Sequence, residues 1–327
     1  MKPNTLWKLV KDTASDWKED KADRLAAALA FYTVLSLAPL VVIAVAVAGL
    51  AVGEDAARGQ LAGQISSLVG PEAAAAIEGL LANASKPSAG VLSTVVGAVV
   101  LLVGASGVFG ELQDSLNTIW EVTPKPGRGI WGFLRDRFFS FTMVLGVGFL
   151  LLVSLVVSAG LAAAGKALSG ALPGGEALWH VVNLVVSFAA ITTLFALIYK
   201  VVPDVTVRWG DVWVGAAVTA LLFTLGKVGI GLYLGKSSVA SAYGAAASVV
   251  VITVWVYYSA QILFLGAEFT QVYARTFGSR IEPSKNAVPV TQEARAQQGL
   301  VPDAVKKELA GGPQRLEGRG PSRPAAV

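Results

Sequence analysis

The chain has 327 residues, of which 54% are hydrophobic and 15% are charged, whereas about 25% charged residues is usual for a soluble domain. A globule with so few charges would expose too much apolar surface to stay dispersed, which excludes an ordinary soluble enzyme. The chain contains no cysteine and one histidine, which excludes disulfide frameworks and imidazole-based metal centres. We expect no cofactor and no enzymatic activity.

Six apolar runs are long enough to cross a bilayer, since a spanning helix needs about 20 residues. The runs are too long and too free of charge for single strands, and they lack the alternating polarity of an outer-membrane barrel. The sequence therefore predicts an all-α integral membrane protein with six transmembrane helices and additional interfacial amphipathic helices. The predicted spans cover about 26–52, 91–110, 138–163, 178–199, 211–234 and 246–269.

Lysine and arginine residues are unevenly divided between the segments that connect these spans. Alternate segments carry 21 basic residues on one side of the membrane and 4 on the other, and Lys227 alone lies within a span. Because basic segments are retained in the cytoplasm, this asymmetry predicts that both termini are cytoplasmic.

The two ends of the chain differ in pattern from the predicted membrane domain, 26–275. In the segment 1–25, Trp7, Val10, Ala14 and Trp17 follow helical spacing. They predict an amphipathic helix that lies in the membrane interface or packs against the protein's own loops. Residues 276–327 hold 6 of the 14 prolines and no long apolar run, which predicts a disordered cytoplasmic tail.

Four stretches resemble the YihY/BrkB family of bacterial inner-membrane proteins, and they occur in the family's order. They read LAAALAFYTVLSLAPLVVI (25–43), ASGVFGELQDSLNTIWEV (105–122), LIYKVVPDVTVRWGDVWVGA (197–216) and YGAAASVVVITVWVYYSAQILFLGAEFTQVYA (243–274). The resemblance covers roughly residues 5–275. It implies six membrane helices, cytoplasmic termini and a plasma-membrane location. The family has carried a ribonuclease BN label, widely regarded as a misassignment, and has links to serum resistance and envelope lipid traffic.

Polar residues inside spans are costly unless they face protein or water, so they are candidates for a substrate pathway. In the first span, Tyr32 and Ser36 precede Pro39, which removes a backbone donor and kinks the helix. This kink is either part of a pathway or a purely structural bend.

The last span places Tyr257 and Tyr258 at its centre, with Gln261 and Glu268 further along. Helical spacing puts Tyr258, Gln261 and Glu268 on one polar stripe toward the bundle interior. The stripe is either a wall that faces substrate or a set of interhelical hydrogen bonds.

Two sets of basic residues are candidates for lipid headgroups. Arg128, Arg135 and Arg137 lie at the inner mouth of the third span and suit either lipid phosphate or topology alone. Lys227 either extends its amine to the outer surface or contacts the phosphate of a lipid in transit. Magnesium binding and a solvated face are the two interpretations of an acidic helix that follows the second span, with Glu111, Asp114, Asn117 and Glu121.

These features favour transport of a lipid or amphiphile across the cell envelope, since the spans lack the dense charged lining of an ion path. The alternative is a non-transporting scaffold for envelope assembly, with envelope-assembly proteins as partners beside the lipid bilayer. A ribonuclease function is disfavoured because the chain has no histidine cluster for acid–base or metal chemistry. Nucleic-acid binding is disfavoured as well.

Overall fold

The fold is given by a computed structural model, which describes residues 3–36, 53, 107–126, 175–236, 247–278, 281–298 and 300. Within them the chain is mostly helical. The N-terminal part forms α1 (Pro3–Glu19), α2 (described over 22–36), α3 (described over 107–119) and β1 (Val122–Pro124). The C-terminal part forms α4 (Gly175–Val201), β2 (Val205–Thr206), α5 (Trp209–Lys236), α6 (Ala247–Phe277), β3 (Glu282–Pro283), β4 (Ala287–Pro289) and α7 (Gln292–Gln297).

Helices α4, α5 and α6 are long and apolar enough to cross a membrane. Their candidate spans are Leu184–Val201, Trp209–Tyr233 and Val249–Phe277, which match the last three predicted spans. The first predicted span is described only to residue 36 and the second only from residue 107. The span at 138–163 lies outside the described residues, as do Pro39, Arg128, Arg135 and Arg137.

Small residues let α5 pack closely against both of its neighbours. Gly215 on α5 lies against Thr270 on α6, and Gly266 on α6 lies against Thr219 on α5 and Tyr199 on α4. Away from these contacts, the ring centroid of Phe223 on α5 is 5.7 Å from that of Phe195 on α4 and 6.2 Å from that of Trp255 on α6. Small residues and interlocking rings therefore define the three-helix core.

The segment after α6 folds back onto the rest of the chain. Strand β3 pairs antiparallel with β2, and β4 pairs antiparallel with β1. The predicted disordered tail is thus wrong for residues 281–298, which join the connection after α3 to the connection between α4 and α5. We call α1, β1, β2 and residues 281–298 together the terminal cap. Residues 301–327 lie outside the described residues.

Candidate functional site

The terminal cap covers one end of the α4–α6 bundle, and two helix ends shape it. Two residues after α1 ends, Lys21 has φ 53°, and two residues after α3 ends, Glu121 has φ 55°. A residue in the left-handed backbone conformation ends a helix and turns the chain. This conformation costs a non-glycine residue about 1–2 kcal/mol of conformational energy. These turns place Asp20 and Glu121 at the mouth of the bundle.

Five charged side chains meet there and form what we call the arginine network. Arg295 from α7 donates to Asp20 at 2.7 Å, and its Nη1 lies 3.4 Å from Glu121. Arg275 from α6 donates to Asp16, and its Nη1 lies 3.9 Å from Glu121. The Asp20–Arg295 pair is almost fully buried, with side-chain exposures of 3% and 7%. The network therefore links both ends of the described chain to α6.

Burial raises the pKa of Asp20 to about 7, while Arg295 acts in the opposite direction. The folded state then binds the Asp20 proton more tightly than the unfolded state does, because the pKa of this carboxyl group in the unfolded chain is 3.8. The resulting stability is full below about pH 4 and is lost as the pH rises through about 7. We expect the thermal unfolding midpoint to fall more between about pH 5 and about pH 8 in the wild type than in Asp20→Asn. Parallel pH profiles for the two proteins would show that Asp20 does not titrate in this range.

Glu268 lies on α6, inside the candidate span and behind the arginine network. Its relative exposure is 0%, and neither carboxylate oxygen has a hydrogen-bond partner among the described residues. The arginine network lies further along the same helix, where Arg275 is seven residues beyond Glu268. A charged carboxylate without a hydrogen bond is expensive to bury, so the geometry favours the neutral form.

A row of polar side chains leads from Glu268 toward the surface. Gln271 and Arg275 follow at the third and seventh positions, on the same helix face. Gln271 is buried, and its Oε1 accepts a hydrogen bond of 3.0 Å from Arg275. The Arg275 side chain is 45% exposed, so the row begins at a buried carboxyl and ends in solvent.

The other polar residues predicted for the last span are not all inward. Tyr257 is exposed, while Tyr258 and Gln261 are partly buried. The Tyr258 hydroxyl lies beside Gly226 of α5. The structure thus places Tyr258 against α5, and Glu268 alone of these four residues lies at the arginine network.

The candidate residues of the first span, and Lys227, also lie in different environments. Tyr32 is 40% exposed and its ring packs beside Gly107, whereas Ser36 is buried. Lys227 is partly buried on α5. These three positions do not join the arginine network, whose members are Asp16, Asp20, Glu121, Arg275 and Arg295.

The acidic helix predicted after the second span, α3, makes side-chain contacts that neither magnesium binding nor a solvated face predicts. Asn117 donates to the Asp204 carboxylate at 3.1 Å and accepts from the Asp204 backbone N–H at 2.7 Å. Gln113 adds a further bond of 3.2 Å to Asp204. Over the described ranges, no three His, Cys, Asp or Glu side chains are grouped to hold a metal ion. Asn117 and Glu121 therefore fasten the cap, and only Asp114 on this face is exposed.

The amphipathic N-terminal helix uses a face other than the one its aromatic spacing predicts. Leu9, Thr13 and Asp20 are buried, and α1 packs on α6. Trp7 is 72% exposed and Val10 is also exposed, whereas Trp17 packs against the core. The helix thus packs against the protein with one face and leaves an apolar edge uncovered by the described residues.

Comparison with known proteins identifies the relatives of this chain. The family model described as virulence factor BrkB matches residues 13–291. The chain belongs to the BrkB virulence-factor family. This match covers the last turns of α1, the three candidate spans and the four short strands, and it ends just before α7. It confirms the resemblance drawn from the four sequence stretches.

Relatives of this BrkB-family chain are named as UPF0761 membrane proteins. A UPF0761 membrane protein of Stenotrophomonas maltophilia is 32% identical over 78% of this chain, which spans 58% of that relative's length. Counterparts from Tolumonas auensis and Vibrio vulnificus are 31% and 30% identical, with 80% and 77% of their lengths covered. No solved structure matches the chain.

Proposed function

We propose that this protein moves a lipid or amphiphile across the bacterial inner membrane through six spans, with both termini in the cytoplasm. The observation that carries the proposal is Glu268, a fully buried carboxyl without a hydrogen-bond partner among the described residues, inside a candidate span. Ionisable residues at such positions characteristically mark substrate or proton pathways. Its place behind a closed cap is typical of a pathway gated at one end.

The orientation is supported by the residues around the cap. Trp209 and Trp213 are exposed at the start of α5, and the Lys200 amine lies 5.8 Å from the Trp209 ring centroid. Tryptophan and lysine together are typical of a membrane–water interface. The cap lies at the same end as this pair, since β2 directly precedes α5. Its segments belong to the side of the membrane on which the connecting segments hold 21 of the basic residues, which favours the cytoplasm.

Lipid movement in proteoliposomes tests the proposal. We expect the purified protein to move fluorescent phospholipids between leaflets faster than empty vesicles do. The double substitution Tyr258→Phe and Gln261→Leu removes polar groups from two partly buried positions on α6. It is expected to slow this movement about tenfold, equivalent to about 1.4 kcal/mol of barrier.

The matched control is Tyr233→Phe, which removes a hydroxyl from an exposed position on α5 and should leave the rate unchanged. If wild-type protein moves no labelled lipid above the rate in empty vesicles, translocation of those lipids is refuted.

A non-transporting scaffold for envelope assembly is the second candidate, and the exposed apolar edge of α1 favours it. Leu6, Trp7 and Val10 are all exposed there, and apolar surface of this kind is common at protein or membrane contacts. The scaffold hypothesis predicts that the Tyr258/Gln261 variant retains envelope function in cells at a normal protein level. It also predicts that disruption of the cap abolishes that function.

A further inference from the structure

The carboxylates at the mouth of the bundle outnumber the guanidinium groups that face them. Asp16, Asp20 and Glu121 share two arginines, Arg275 and Arg295. An ionised Glu268 would add a fourth carboxylate where both arginines are already engaged. Repulsion between like charges and burial both oppose that ionisation.

We propose that Glu268 is the proton-carrying residue of this protein, protonated while the terminal cap is closed and deprotonated when the cap opens. The inference rests on the proposed translocation, of which it names the coupling ion. In the step itself the Glu268 O–H bond breaks, the proton passes to water, and a carboxylate remains on α6.

The contacts around Glu268 explain why cap opening would release the proton. Asp16 and Asp20 lie on or directly after α1, and Arg295 lies on α7, whereas Arg275 shares α6 with Glu268. Movement of α1 away from α6 therefore removes two repelling carboxylates and leaves Arg275 beside the new negative charge. Opposite charges close together favour the ionised form, so the same movement favours release of the Glu268 proton.

The row formed by Gln271 and Arg275 marks the side of Glu268 from which the proton leaves. It leads from the buried carboxyl to the half-exposed guanidinium at the cap. In the opposite direction along α6, Glu268 is preceded by the buried apolar side chains of Phe264 and Leu263. Other titratable groups on these helices include Tyr199 and Lys200 of α4, Asp211 and Lys227 of α5, and Tyr258 and Tyr273 of α6. Tyr199 is engaged by Thr219 at 3.1 Å and by the Leu263 carbonyl at 2.7 Å.

Infrared spectroscopy of the full-length protein in lipid tests the protonation directly. We expect the carbonyl stretching band of a protonated carboxylic acid at neutral pH, with a shift on transfer to D₂O. The band contribution should disappear in Glu268→Gln and persist in Glu282→Gln, a control at an exposed cap position. If the Gln variant does not fold, Glu268→Asp keeps a carboxyl group and should displace the band instead. A spectrum unchanged by substitution of Glu268 would overturn the inference.

Coupling is tested separately in proteoliposomes with an imposed pH gradient. Wild-type lipid movement should change severalfold when the gradient is applied, whereas the Glu268→Gln rate should be the same with and without it. A gradient response that survives in Glu268→Gln would refute coupling through this residue and leave translocation intact. Absence of lipid movement in every sample would refute translocation, while the infrared band would still decide whether Glu268 holds a proton.

Discussion

Gly266→Ala is expected to destabilise the bundle by about 3 kcal/mol, because the new methyl group has no space. A carbon placed on Gly266 would lie 2.5 Å from the Tyr199 hydroxyl oxygen and 2.8 Å from the Thr219 Cβ. Relief would require α6 to separate from α4 and α5, which would stretch the buried bond from Tyr199 to the Leu263 carbonyl. Forced overpacking of a tight core typically costs about 1–3 kcal/mol, and the lost bond adds to this figure.

The matched control is Gly229→Ala on α5. A methyl group at Gly229 meets no atom of the described residues within 4 Å, and alanine is the better helix former by about 1 kcal/mol. Unfolding of the detergent-solubilised protein by heat or by SDS measures both variants. Equal losses of stability in Gly266→Ala and Gly229→Ala would show that the close helix contact is not what Gly266 provides.

Arg295→Ala is expected to open the terminal cap, with a loss of about 3 kcal/mol at a pH where Asp20 is ionised. Asp20 is almost fully buried and depends on Arg295 for its charge partner. Removal of one partner from a buried ion pair typically costs about 3–5 kcal/mol, since the remaining charge is uncompensated. We expect the lower end of this range because proton uptake by Asp20 limits the penalty.

Site-specific spin labelling measures this opening. Because the chain contains no cysteine, the labels attach only at the introduced positions. Spin labels on Ala14→Cys and Glu293→Cys, both exposed, report the distance between α1 and α7. The distance distribution should broaden and lengthen in Arg295→Ala but stay unchanged in Arg24→Ala, which removes an exposed arginine. The double variant Asp20→Asn, Arg295→Ala should recover part of the stability, because no buried charge is left. A narrow, unshifted distribution in Arg295→Ala would contradict the role of the pair.

The membrane helices were the predictable part of the fold. Long apolar runs at 178–199, 211–234 and 246–269 dictate helices in a bilayer, because only a helix satisfies its backbone within one segment. The same reasoning marked Glu268 as inward-facing, since its seven-residue spacing from Gln261 is close to two helical turns. These predictions depend on local periodicity, which a sequence displays directly.

The cap was not predictable, because its elements are short and its contacts are distant in sequence. Strands of two or three residues carry no periodic pattern, and β4 pairs with a strand more than 160 residues earlier. Two of the six prolines that suggested disorder are Pro283 in β3 and Pro289 in β4. Short strands beside only one partner tolerate proline, since no second ladder needs its missing donor.

The partners of single polar residues were also hidden. Asn117 looks like one member of a solvated helix face, yet it binds Asp204, 87 positions away. On α1 the aromatic spacing drew attention to Trp7 and Val10, whereas Leu9, Thr13 and Asp20 form the buried face. A helix with several apolar edges does not reveal which edge its neighbour will cover.

The pair of Asp20 and Arg295 is separated by 275 positions, which has a consequence for the order in which the protein matures. While the ribosome is still adding the last membrane helix, the Asp20 carboxylate has already been made and has no arginine at position 295 to meet. Insertion of the helices therefore precedes closure of the cap. The cap can close only after Arg295 has been translated. A chain arrested earlier would present an open mouth and unpaired acidic groups, which are surfaces that membrane quality-control proteases can engage.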